Sequence, residues 1–264
     1  MNIKYGMPTL IELMDLDDCC KLCKGLDLDF IELNMNLPMF QVHTLNLSEL
    51  QKLKDEYGIY FTIHLDENLN VCDFNPLVSK AYIKTVVQTI QIAKQLETPI
   101  LNMHMSKGVY FTMPDRKVYL FEQYKDTYLN TLKEFMMICE DSIGDGNIKI
   151  CIENCDGYAD FVKEGIELLL TSKIFSLTFD IGHSHSADNT DEEFILQHMN
   201  RLLHMHLHDA VGAKNHLILG TGEIELYDRI QMAEKNNCSC VLETKTIEGL
   251  KQSVDFLRKN YWLK

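Results

Sequence analysis

The feature that most constrains the fold is an alternation that runs the whole length of the chain. Short apolar runs of about four to eight residues are each followed by a longer amphipathic segment, with no linker or low-complexity stretch between them. The runs fall at Ile3 to Pro8, Phe30 to Asn34, Tyr60 to Leu65, Ile100 to Met105, Ile148 to Glu153, Phe175 to Asp180, Leu202 to Asp209 and Cys240 to Glu243. The helical patterns between and after them cover Leu16 to Lys24, Leu47 to Tyr57, Pro76 to Leu96, Leu120 to Asp141, Asp160 to Thr171, Asp191 to Met199, Ile224 to Lys235 and Thr246 to Lys259.

Strands alternating with helices make a parallel sheet covered on both faces. Eight such units close it into an α/β (β/α)8 TIM barrel, here one domain over residues 1–264, close to the roughly 250 residues typical of that fold. In such a barrel the side chains at the C-terminal ends of different strands share one mouth. The seventh run, Leu202-Leu203-His204-Met205-His206-Leu207-His208-Asp209, alternates histidines with apolar residues, so a strand sends His204, His206 and His208 to one face.

Other runs also end in side chains that bind metals: His64, His104, Glu153, Asp180 and Glu243. A single strand-end carboxylate is ordinarily a cap or a surface charge. Glu153, Asp180, His206 and Glu243 stand at corresponding ends of the last four strands, and that coincidence points to a site for a divalent cation such as Mn2+, Mg2+, Co2+ or Zn2+. Without a cation, carboxylates so gathered repel one another.

His64, His104, His183 and His216, at strand ends or in the loops after them, are candidates for further metal ions or for hydrogen bonds to a substrate. His204 reads as a barrel-interior residue, His208 or Asp209 as a group orienting the ligands, and Glu32 as a supporting or rim residue. The polar stretches Ser106 to Lys117 and Ala210 to Gly222 lie where barrel loops build active sites, the first as a lid or substrate loop. Lys107, Arg116 and Lys214 are the cations that would meet a substrate phosphate.

A net charge of −14 argues against a broad basic surface for nucleic acid. The start of the chain lacks the apolar core of a secretory signal, and no run reaches the roughly 18 apolar residues of a membrane span, which points to a cytoplasmic protein with no membrane partner. Nine cysteines scattered through strands and helices read as reduced thiols, and Cys20 and Cys23 as one face of a helix. A homo-oligomer is left open.

Taken together, these motifs resemble the xylose isomerase-like barrel superfamily, which holds sugar and sugar-phosphate isomerases and epimerases, inositol-catabolism enzymes and endonuclease IV. The most specific segments are Ile152-Glu153-Asn154, Phe179-Asp180-Ile181-Gly182-His183, His206-Leu207-His208-Asp209, His216 to Gly222 and Leu242-Glu243. The resemblance to ketose 3-epimerases implies metal ligation by Glu153, Asp180, His206 and Glu243. It also implies proton abstraction alpha to a carbonyl through a metal-stabilised enediolate, with Glu153 and Glu243 exchanging protons on opposite faces of the sugar and His183 holding a hydroxyl.

One departure is the absence of the arginine those enzymes carry after the strand-seven histidine, since this chain reads Ala210-Val211-Gly212-Ala213. The alternative is an abasic-site DNA endonuclease with a multinuclear zinc site, whose ligand positions resemble His64, His104, Glu153, Asp180, His183, His206, His216 and Glu243. There Lys214 replaces an aspartate ligand. A third class, a barrel that binds a polyol or metal without turnover, shares the same fold.

Overall fold

In the computed structural model, which describes residues 3–263, each strand–helix unit starts from a recognisable local signal. Strand β1 (Lys4–Pro8) leads to α1 (Leu16–Gly25), where Asp15 caps the helix by accepting from the N–H groups of Asp17 and Asp18. After β2 (Phe30–Asn34), Asn46 caps α2 (Leu47–Tyr57), and Gly58 ends it in the left-handed conformation that glycine adopts without strain. β3 (Tyr60–His64) is followed by α3 (Pro76–Leu96), capped by Asn75 with proline at its first position.

β4 (Ile100–His104) leads into a short hairpin of β5 (Tyr110–Thr112) and β6 (Lys117–Tyr119), then α4 (Leu120–Gln123) and α5 (Lys125–Ile143). The chain continues through β7 (Lys149–Glu153), α6 (Asp160–Leu170), β8 (Phe175–Asp180), α7 (Ile181–Ser186), α8 (Glu192–Gln197) and β9 (Leu202–Leu207). A second hairpin, β10 (Asp209–Val211) and β11 (Lys214–Leu217), precedes α9 (Leu226–Asn236), β12 (Ser239–Leu242) and α10 (Ile247–Lys259).

Eight parallel strands close in the order β1-β12-β9-β8-β7-β4-β3-β2, so each barrel strand pairs with the next one along the chain and the last pairs with the first. The barrel expected from the sequence is present. Register aligns the inward residues in rungs: Glu32 beside Thr62, His104 beside Glu153, Asp180 beside His206, and His206 beside Val241. Residues between them, such as Ile31, Leu33, Phe61, Ile63, Ile152, Phe179, Met205 and Leu207, are fully buried under the helices.

The structure departs from the sequence expectation in four places. The stretch over residues 106–117 is not structureless: Tyr110 opposes Tyr119 and Phe111 opposes Val118 in the first hairpin. Residues 181–186 form a helix because Asp180 caps it, its Oδ1 accepting from the His183 N–H at 2.6 Å. The seventh strand leaves the barrel after Leu207, since Asp209 to Val211 pair with β11 instead. Finally, the helix read as starting at Leu120 is broken at Tyr124.

The nine cysteines are free, and all but half-buried Cys155 are buried. Burial pushes the Cys20 thiol up to about 12, in keeping with a packed helix face. No helix among the described residues is long and apolar enough to cross a membrane.

Candidate functional site

The barrel brings one donor atom each from Glu153, Asp180, His206 and Glu243 to within 4.8 Å of one another at the C-terminal ends of β7, β8, β9 and β12. His206 is the hub. Its Nδ1 lies 3.1 Å from Glu153 Oε1, 3.1 Å from Glu243 Oε2 and 3.7 Å from Asp180 Oδ2. Its Nε2 lies 2.9 Å from Glu32 Oε1. Glu32 thus sits deep in the barrel, 2% exposed, and not on the rim. A carboxylate behind the outer nitrogen of an imidazole fixes the ring and raises its basicity as a ligand.

Burial opposes every charge here, yet the carboxylates of Glu153, Glu32 and Glu243 push the His206 imidazolium well above its usual value. Burial likewise acts to raise Glu153 and Glu243, and His206 outweighs it and lowers both. The point they surround therefore draws positive charge. His206 Nδ1 and Glu243 Oε2 are buried and lack the alignment of a hydrogen bond. Three carboxylate oxygens and one imidazole nitrogen aimed at one point, two of these atoms without partners, fit a divalent cation.

The remaining oxygens are held by neighbours. Glu153 Oε2 accepts from the Asn102 amide and lies 3.2 Å from His104 Nε2 and 3.3 Å from His64 Nε2. His64 Nδ1 faces its neighbour's carbonyl, Leu65 O, at 2.8 Å. Burial would lower the His64 pKa, but Glu153 overrides it and carries the value up to about 9. Glu243 Oε1 pairs with Lys245 Nζ at 2.8 Å.

His208, read from the sequence as an orienting group, lies against Asp180. Its Nδ1 accepts the backbone N–H of His216 at 2.8 Å, so its Nε2 carries the proton, 3.0 Å from both oxygens of Asp180. Gly182 makes room for that ring: a Cβ there would lie 2.0 Å from it. Asp209 serves the backbone instead. It accepts from the N–H groups of Ala210, Gly220, Gly222 and Ile224 and so ties down the loop after β11. His204 is interior, bridging Ser239 Oγ and Glu32.

Two neighbouring cavities, of about 520 and 420 Å³, open beside these residues. One is walled by His64, His104, His183 and His216, the other by Leu10, Ile11, Asn34 and Leu37, and the two share Glu67, Glu243 and Lys245. Of the cations expected to meet a phosphate, Lys107 pairs with Asp156 of the cavity wall at 2.9 Å, and the other two are exposed, Arg116 paired with Asp115 on the first hairpin and Lys214 on β11. Lys245 is the lysine that does line the cavity.

Asn102 and Lys245 lie two residues from His104 and Glu243, a period-two signal that was available in the sequence. Asn215, which touches both His183 and His216, carried no such signal.

Comparison with known proteins agrees with this architecture. Two proteins of Methanocaldococcus jannaschii, uncharacterized proteins MJ1311 and MJ1614, are each 26% identical to this chain, covering 81% and 79% of it and 74% and 80% of themselves. Among solved structures, a D-tagatose 3-epimerase-like protein superposes with a TM-score of 0.78 at 24% identity, covering 98% of this chain and 97% of its own. The 3-keto-D-glucoside 4-epimerase of E. coli does so with 0.77 at 13% identity, covering 98% and 100%. D-allulose 3-epimerase from Methylomonas sp. gives 0.72 at 13%, covering 98% and 96%. At these identities the likeness is one of fold. The model of the xylose isomerase-like TIM barrel family matches residues 20–260, and the chain belongs to that family.

Proposed function

We propose that the protein is a divalent-metal-dependent sugar isomerase or epimerase that removes and returns a proton alpha to a carbonyl. The observation that carries this reading is the meeting of Glu153, Asp180, His206 and Glu243 around one point, with a cavity opening beside it. Those four residues would hold the cation, which when bound supplies Lewis-acid polarisation of a sugar carbonyl and its neighbouring hydroxyl.

Glu153 and Glu243 are the two groups suited to carrying protons. Each directs one oxygen at His206 Nδ1 and has its second oxygen held by other side chains, Glu153 by Asn102, His64 and His104, and Glu243 by Lys245. General acid–base assistance of this kind contributes about 10²- to 10⁴-fold. An unphosphorylated sugar suits the wall better than a sugar phosphate: Lys245 is already paired with Glu243 and Lys107 with Asp156, while Glu67 and Glu153 line the same cavity.

One observation favours the second reading, a multinuclear zinc phosphodiesterase acting on abasic DNA. Donor atoms of His64, His104 and Glu153 also lie within 4.8 Å of one another, as do those of His183, His208 and His216. Against it stand the acidic cavity wall and the scarcity of basic residues there.

Incubation with Mn2+ and D-allulose or D-tagatose in heavy water tests the choice. The sugar reading predicts metal-dependent wash-in of deuterium beside the carbonyl. No exchange in any ketose, with nicking of an abasic duplex, would replace it with the second reading.

A further inference from the structure

We infer that Asn215 is a positioning residue that forces His183 and His216 into opposite tautomers, making them a clamp for one uncharged hydroxyl group of the substrate. The inference rests on the sugar reading of the site and goes beyond it, to the group recognised and to the residue that sets the recognition.

The chain of hydrogen bonds begins at Ser186. Its hydroxyl donates to the His183 carbonyl at 3.0 Å, so its oxygen is left to accept, and it accepts from Asn215 Nδ2 at 3.2 Å. That contact fixes which end of the Asn215 amide is which. Nδ2, a donor only, also lies 3.3 Å from His183 Nδ1, which must therefore be bare. Oδ1, an acceptor only, lies 2.8 Å from His216 Nδ1, which must therefore carry a proton.

In a neutral imidazole the second nitrogen takes the opposite role. His183 is left with a donating Nε2–H and His216 with a bare, accepting Nε2. The two rings sit 5.1 Å apart on the cavity wall. A hydroxyl both donates and accepts, so one donor beside one acceptor is its complement. A cation held by both rings would need two bare nitrogens.

Four further observations bear on how His216 is held. Between the paired residues Val211 and Lys214 and the pair Asp209 and Leu217, β11 has Asn215 and His216 where β10 has only Ala210. Such a bulge re-aims side chains, and here it brings two consecutive residues into contact. His216 takes φ +56°, a left-handed conformation uncommon outside glycine. Its ring stacks on that of His208 at 4.2 Å with 6° between planes. Its Nε2 is buried, lacks a hydrogen-bond partner and lies 3.6 Å from Glu243 Oε1, another acceptor. Glu243 Oε1 already has its donor in Lys245, so the bare Nε2 of His216 is the atom left without one, and a substrate hydroxyl supplies it.

Long-range proton–nitrogen NMR of 15N-histidine-labelled, Mg2+-loaded protein tests the assignment. A single tautomer is expected at each ring, with Nε2 protonated in His183 and bare in His216, and Asn215→Leu should replace this with tautomer averaging at both. Asn215→Asp offers two acceptors, leaves both Nε2 atoms bare, and should add one equivalent of bound zinc that the wild type lacks. A protonated Nε2 in wild-type His216, or zinc shifting both rings in the wild type, overturns the clamp.

With D-allulose as probe, Asn215→Leu should lower kcat/KM by about 10- to 100-fold. If no ketose turns over while the tautomers are as stated, the sugar reading falls and the positioning by Asn215 stands.

Discussion

Two pairs of histidines flank the four converging residues, and they are built differently. His64 and His104 stand on barrel strands, and both turn Nε2 toward Glu153 Oε2, at 3.3 and 3.2 Å. The Asn102 amide donates to that same oxygen and not to either ring. His183 and His216 stand on a short helix and a bulged hairpin, with Asn215 interposed. The first pair presents two like nitrogens to one carboxylate, an arrangement that takes up a proton or a cation. The second presents unlike nitrogens and is matched to a neutral group. What an imidazole does is thus decided by whatever holds its other nitrogen, and the same residue type serves opposite ends on two sides of one cavity.

The largest expected effect comes from the carboxylate that the first pair serves. Glu153→Gln removes an anionic ligand and the proton carrier together, so solvent-deuterium exchange into D-allulose should fall by at least about 10²-fold. Near-normal exchange would take Glu153 out of the mechanism.

Addition of Mn2+ to metal-free protein should raise its thermal midpoint, with stabilisation approaching about 2.7 kcal/mol at one hundred times Kd. His206→Ala should abolish that shift in a melting experiment, whereas His64→Asn and His104→Gln should leave one equivalent of metal bound. If metal analysis instead shows two zinc ions per wild-type chain falling to one in either variant, the strand-borne pair is itself a metal site.

Gly182→Ala tests the scaffold behind the loop-borne pair. Its Cβ would meet the His208 ring, displace it from Asp180, and weaken metal affinity by about 10- to 100-fold in a titration. Gly25→Ala, where a Cβ meets nothing within 4 Å, is the control.

The smallest effect is a pH dependence. His64 is raised from 6.5 to about 9, so its ion pair with Glu153 stabilises the metal-free fold fully below pH 6.5 and is lost as pH rises through about 9. Metal-free protein should therefore lose midpoint temperature over that window. Metal-loaded protein should resist the loss, because a cation replaces the proton.

The alternation of runs and helices made the barrel legible because burial on both faces leaves a strand apolar except at its end. That same contrast exposed Glu153, Asp180 and Glu243, each a polar residue terminating an apolar run, while His206 stood out through the alternation of the seventh run. Hairpin β5–β6 was not legible: its pairing depends on cross-strand contacts of aromatic residues in a stretch whose composition reads as loop. Helix α7 was hidden for a different reason, since Asp180 ends a strand and caps a helix at once.

By itself the sequence determined which residues are available at the ends of the strands, since the period of two along a strand fixes which face each one takes. Only the tertiary structure decided what each one touches. Glu32 comes to lie under His206 through ring closure, and Asn215 between two histidines through a one-residue bulge. Contacts of that kind join residues far apart in the chain, or re-aim neighbours out of their expected alternation, and local pattern carries no record of either.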